Sequence, residues 1–249
     1  MVIPRRHILK SEKFETRSYP CICSMVVLPF DAHNHVHMGV SPPSLALEPF
    51  QVCGEKLKIG GMAIMSTHPR DFVSVSSIGD ELRVDHGINA VKCFGVHPWF
   101  VSELEESDSD SGLPQWLLSL EEQLNRCPDA VVGEIGLDGF HFNGETGELS
   151  APMEKQIEVF RLQMELAAKR AKPVSIHAVQ CFGVLMETLS LLKKQKKMPP
   201  RMYFHAFGGK LGTIDQILAL CGRKVGQVYF GFSPVVSKYR AILRSHAAA

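Results

Sequence analysis

The sequence predicts an α/β fold, a TIM-type (β/α) barrel without its eighth strand and last helix. Seven short apolar runs rich in Val, Ile and Phe, bounded by Gly or Pro, read as buried parallel strands. Amphipathic stretches separate them, and strands alternating with helices imply parallel βαβ units. Four runs also end on a chemically active side chain: Asp31-Ala32-His33-Asn34-His35, Gly133-Glu134-Ile135-Gly136-Leu137-Asp138, Ser175-Ile176-His177-Ala178 and Tyr203-Phe204-His205-Ala206. Barrels of this kind gather their chemistry at the carboxyl ends of their strands.

The elements follow in order. Met25-Val26-Val27-Leu28-Pro29-Phe30 predicts a first strand over 25–32. Gly61 to Met65 predicts a second over 60–66, and Ala90 to Val96 a third over 90–97 that ends at His97-Pro98-Trp99. Ala130 to Glu134 predicts the fourth over 130–135. Pro173 to His177 predicts the fifth over 173–178, Met202 to His205 the sixth over 202–206, and Gln227 to Phe232 the seventh over 227–232. Between them, Pro114 opens a helix carrying Leu117, Leu120 and Leu124 at i, i+3 and i+7. Ile157, Phe160, Met164 and Ala167 make a second apolar stripe, closed by Lys169-Arg170 and Pro173. Val184, Leu185, Leu189 and Leu192 make a third.

Bulk properties narrow the field. With 249 residues the chain fits one barrel or two ordinary domains, and its 45% hydrophobic and 21% charged content suits a substantial core. A net charge of +1 creates no strong field toward long nucleic acid, so any grip on phosphates is local. No apolar run approaches the roughly 20 residues a membrane helix needs, so no membrane partner is expected. Residues 1–24, with Arg5, Arg6, Lys10, Lys13 and Arg17 against Glu12 and Glu15, are expected to be a leader without a folded role; the barrel takes 25–249. The two acids argue against an import signal. Seven scattered cysteines, with no CxxC, point to a reducing compartment and hence the cytoplasm. The acidic stretch Glu103 to Asp110 reads as solvated linker, and Lys193 to Lys197 as cations closing a helix before Pro199-Pro200.

The strand-end residues carry the functional argument. On an extended strand, residues two apart project to one side, so His33 and His35 can reach one ion. His37 extends the alternation but falls in the loop and reads as a bystander. Glu134, in apolar surroundings, offers two oxygens and can bridge two ions. Gly133 and Gly136 flank the Glu-Ile pair and permit close backbone approach. A single buried His is more often a satisfied core group than a ligand. His177 and His205 at matching strand ends, with Glu134 and His-x-His upstream, make a divalent-metal site the leading reading.

Asp-Ala-His-Asn-His, Gly-Val-His-Pro-Trp, Gly-Glu-Ile-Gly-Leu-Asp, Gln156-x3-Phe160-x2-Gln163, Pro-Val-Ser-Ile-His and Phe-His-Ala-Phe-Gly-Gly, in that order from about Phe30 to Pro234, resemble the TatD family of metal-dependent DNases. The resemblance implies a metal-dependent hydrolase barrel holding two divalent ions (Mg, Mn or Zn) and cleaving DNA or another phosphodiester as a monomer. It implies that His33 and His35 hold one ion, that His177 and His205 hold the second, and that Glu134 bridges them. It makes His97 a pocket residue near the scissile phosphate, with Asp31 and Asp138 supporting partners behind the ligands. Two features depart from the family pattern. Val179 stands where the family carries an Arg, and Val235 to Ala249 contain neither Asp nor Glu, so the eighth strand and its water-positioning Asp are expected to be missing and activity impaired. Two alternatives stay open: a non-catalytic metal-binding remnant, and an amidohydrolase acting on a small molecule.

Overall fold

The computed structural model describes residues 28–38, 59–105, 112–222 and 227–233. Seven strands form one parallel sheet in strict sequence order: β1 (Phe30–Asn34), β2 (Gly61–Met65), β3 (Asn89–Phe94), β4 (Val131–Asp138), β5 (Val174–Val179), β6 (Met202–Phe204) and β7 (Val228–Phe230). Among the described residues five α-helices accompany them: α1 (Phe72–Asp85), α2 (Gln115–Arg126), α3 (Met153–Lys169), α4 (Phe182–Lys194) and α5 (Leu211–Cys221). This is the parallel, sequentially ordered α/β arrangement of a (β/α) barrel; residues 234–249, where the eighth strand was expected to be missing, lie outside the described residues. Among the described residues no strand pairs with the outer edge of β1 or β7. No described helix is long and apolar enough to cross a membrane.

Alternation along each strand sorts two apolar layers. Met62 and Ile64 face the helices and join the main core with Phe94, Ile135, Phe160 and Phe204. Ala63, Met65 and Cys93 point the other way, into the barrel interior. The stripes of α2, α3 and α4 are buried as their spacing requires: Leu117, Leu120 and Leu124; Phe160, Met164 and Ala167; Leu185, Leu189 and Leu192. The lysine cluster does close α4, where Lys193 donates to the Leu220 carbonyl and Lys197 pairs with Glu165 at 2.9 Å.

Strand boundaries differ from expectation in an instructive way. The first strand was expected over 25–32 but begins at Phe30 and runs to Asn34. Pro29 has no N–H to give to a ladder; only its carbonyl pairs, accepting from Gly60 N at 2.8 Å. Residues 25–27, like the expected leader 1–24, lie outside the described residues. β3 stops at Phe94 because its last backbone groups turn to side chains. Gly95 N donates to Ser66 Oγ (2.8 Å) and Val96 N to Gln163 Oε1 (2.7 Å). β4 instead runs past 135 to Asp138, with Gly136, Leu137 and Asp138 registered against His177, Ala178 and Val179 of β5. Gly136 makes that close register possible. Its φ is +151°, and a Cβ there would stand 2.0 Å from the His177 carbonyl oxygen.

Candidate metal centre

Glu134 is 1% exposed and lies at the centre of the strand ends. Its Oε2 faces His33 Nε2 at 3.2 Å and His35 Nε2 at 3.0 Å, both from β1 and the turn after it. Its Oε1 faces His177 Nδ1 at 3.0 Å, His97 Nε2 at 3.4 Å and His205 Nε2. The carboxylate thus divides the imidazoles into an edge pair and a buried group. The division is not sealed. His33 and His205 stack with ring centroids 3.8 Å apart, and His33, Glu134 and His205 form one cluster of metal-ligating atoms beside that of His97, Glu134 and His177.

Hydrogen bonds on the far side of three rings assign their protons. His35 Nδ1 lies 2.9 Å from the Met65 carbonyl, which can only accept, so Nδ1 carries the hydrogen. His177 Nε2–H donates to Asp138 Oδ2 at 2.9 Å. In the neutral rings, therefore, His35 Nε2 and His177 Nδ1 present bare lone pairs to carboxylate oxygens about 3 Å away. Lone pair facing lone pair is tolerable only with a cation or a proton between them. A His whose outer nitrogen is tied to a carbonyl or carboxylate while the inner one faces a shared acid has the orientation of a metal ligand. His97 is wired oppositely. Its Nδ1 accepts from Trp99 N at 3.2 Å, leaving Nε2–H as a donor toward Glu134.

The electrostatics follow the wiring. Burial opposes a charged His177, but hydrogen bonds and charge from Asp138 and Glu134 outweigh it and push the imidazole up to about 9. His35 is raised in the same way: burial opposes, and Glu134 prevails. Burial wins at His97, which falls to about 4 despite Glu134, and at His205, which is also lowered. Glu134 would be driven up by burial, yet the surrounding imidazoles hold it well below the usual carboxylate range. The acid is ionised and His97 neutral near physiological pH. This donor set fits a divalent cation.

The supports behind the ligands are joined by hydrogen bonds that the sequence does not display. Trp99 Nε1–H donates to Asp138 Oδ2 at 2.7 Å, so Asp138 is gripped by Trp99 and His177 at one oxygen. Its Oδ1 accepts from Phe140 N (2.7 Å) and His141 N (2.9 Å). Gln156 and Gln163, seven apart on α3, turn inward: Gln156 brackets both backbone groups of Asp138, and Gln163 those of Val96. Their i, i+7 spacing within a buried stripe was the available signal. Asp31 stands behind the ligands, accepting from His33 N at 3.1 Å and Asn34 Nδ2 at 3.2 Å. His37 is buried in the turn with Nε2 3.5 Å from Asp71 Oδ2, outside both clusters around Glu134. A cavity of about 230 Å³ opens onto Glu134, walled by the histidines, Thr67, Trp99, Phe100 and Met38, with no Arg or Lys among the residues lining it.

Residues 30–248 match the profile of the family described as TatD related DNase. The chain is 24% identical over 283 residues to the Cut9-interacting protein scn1 of Schizosaccharomyces pombe, covering 85% of this chain and 81% of that protein. It is 30% identical over 193 residues to an uncharacterised deoxyribonuclease of Saccharomyces cerevisiae, covering 62% of this chain and 58% of the yeast protein. Among solved structures, a TatD homologue from Escherichia coli superposes with a TM-score of 0.63 at 23% identity, over 88% of this chain and 75% of that one, a likeness of fold.

Proposed function

This chain belongs to the TatD-related DNase family, and from that premise we propose that it hydrolyses phosphodiester bonds of DNA at a centre of two divalent ions. One observation carries the reading: a single ionised, fully buried carboxylate presents one oxygen to His33 and His35 and the other to His177 and His205. Those four histidines would hold the ions, with Glu134 between them. Imidazole-rich ligation favours zinc or manganese over magnesium, which prefers oxygen. When bound, such ions supply Lewis acidity at the phosphate and acidify the attacking water.

The chain's own residues set the rest. His97, neutral and with its proton held on Nε2 by the Trp99 amide, is a fixed donor for a phosphate oxygen. Asp138 holds His177 in one tautomer and is itself held by Trp99 and two backbone amides. Asp31 steadies the backbone of His33. Free, buried Cys93 and Cys181 support a reducing compartment such as the cytoplasm, and a monomer is the proposed working unit.

A second reading has one observation in its favour. Val179 ends β5 where a phosphate fork would be useful, and no cation lines the cavity among the described residues, so metal binding without turnover is the alternative. The test is cleavage of a labelled single-stranded oligonucleotide by the purified chain with manganese, zinc or magnesium, against a chelated control. Metal-dependent cleavage supports the proposal. Bound metal without cleavage supports the second reading, and hydrolysis confined to amides or lactones would point to an amidohydrolase.

A further inference from the structure

The segment leaving β4 displays aromatic faces beside the metal cavity. Phe140 is 58% exposed and Phe142 51% exposed, with ring centroids 6.1 Å apart and planes inclined at 75°. Exposed phenyl groups at adjoining positions are costly to leave in water and commonly mark a binding surface. Between them His141 turns inward. It stacks on Trp99 with centroids 3.9 Å apart, and its Nδ1 lies 2.6 Å from Ser150 Oγ. Trp99 in turn lines the cavity that opens onto Glu134. The aromatic ledge is therefore continuous with the wall of the candidate metal centre.

The ledge is also held in place. Asp138, the carboxylate that fixes His177, accepts from the amides of Phe140 and His141. An antiparallel bridge joins Phe142 to Leu149, Ser150 N donates to the His141 carbonyl at 3.0 Å, and Asn143 N donates to the Glu148 carbonyl at 2.8 Å. Display on a hydrogen-bonded hairpin lowers the ordering cost of binding.

We propose that Phe140 and Phe142 form a base-stacking platform for a single strand of nucleic acid whose backbone passes the metal centre. This rests on the nuclease reading and adds how the strand is held beyond the scissile phosphate. The charge pattern supports bases rather than phosphates as the contact. Glu145 and Glu148 at the exposed tip of the same hairpin would repel a phosphate backbone, whereas a base face stacks on phenyl regardless of net charge. Unpaired bases are required, because a duplex keeps its faces stacked on one another.

The test measures binding of a short phosphorothioate oligo(dA), and of an abasic strand of equal length, by fluorescence anisotropy with manganese present and absent. Wild type is compared with a Phe140→Ala/Phe142→Ala variant and a Phe140→Tyr/Phe142→Tyr variant. Both side chains are exposed, so unchanged melting temperatures and metal content check that fold and centre persist. The alanine variant is expected to bind oligo(dA) at least about tenfold more weakly, the tyrosine variant like wild type. The abasic strand is expected to bind wild type and alanine variant alike. Equal oligo(dA) affinity of wild type and alanine variant, or equal losses on both strands, would overturn the platform alone. Failure of wild type to bind any strand would overturn the nuclease reading together with it.

Discussion

His177 and His33 each bring a ring nitrogen to about 3 Å from Glu134, yet the molecule holds them differently. Both nitrogens of His177 are engaged, by Glu134 and by Asp138, on a strand whose ladder with β4 continues to its end. Among the described residues, His33 has a buried Nδ1 without a hydrogen-bond partner, and it sits on β1, which pairs only with β2 and whose register slips between Asp31 and Asn34. His177 is fixed from both sides before any ion arrives, and His35 is held behind by the Met65 carbonyl. His33 is positioned from one side. Preorganisation in a metal site thus depends on what stands behind each ligand as much as on the ligand itself.

Substitutions break this comparison to different degrees. Glu134→Gln removes the charge both halves share, so metal-dependent hydrolysis should fall by roughly 10²–10⁴; initial-rate assays on a single-stranded oligonucleotide check it. Next in size is a stability contrast in chelated protein. His177→Ala removes the imidazole between Asp138 and Glu134, while Trp99 and two backbone amides still hold Asp138, and should cost roughly 1–3 kcal/mol. His33→Ala, whose outer nitrogen has no partner among the described residues, should cost under about 1 kcal/mol. Urea titrations that gave equal losses would erase the distinction between the two histidines. Asp138→Asn should then weaken metal affinity by roughly 10–100-fold while sparing the fold, measured by competition with a chromogenic chelator.

The pH dependence sharpens the same contrast. In chelated protein His177 is raised from 6.5 to about 9, against burial, by Asp138 and Glu134. A raised imidazole contributes stability that is complete below the unfolded value and lost as pH climbs through the folded one. Wild type should therefore lose urea resistance between pH 6.5 and 9, and Asp138→Asn should flatten that slope. Parallel slopes in both proteins would mean that Asp138 does not hold the proton.

Much of this arrangement was legible in the sequence. Short apolar runs interrupted by helices gave the order of all seven strands, because a buried parallel strand leaves its polar residues at its end. That rule also singled out His33, His35, Glu134, His177 and His205, which the fold brings together. What escaped was either weakly patterned or set by hydrogen bonds that spacing does not reveal. α1, Phe72–Asp85, carries Val and Ser, which favour helix weakly, and its buried Phe72, Val75, Ile78 and Leu82 were not recognised as a stripe. The donor role of His97 is set by the Trp99 amide, and the grip on Asp138 by an indole on another strand's loop. The start of β1 was misplaced because Pro29 lies within an apolar run that reads on as strand, whereas its missing N–H delays the ladder.

The central claim is that one buried carboxylate serves two half-sites. Elemental analysis and calorimetric titration with manganese or zinc test it most directly in wild type, His33→Ala/His35→Ala and Glu134→Gln proteins. The account predicts two ions in wild type, one in the double variant and none held tightly once Glu134 is neutral. Full metal content in the double variant, or undiminished binding in Glu134→Gln, would contradict it.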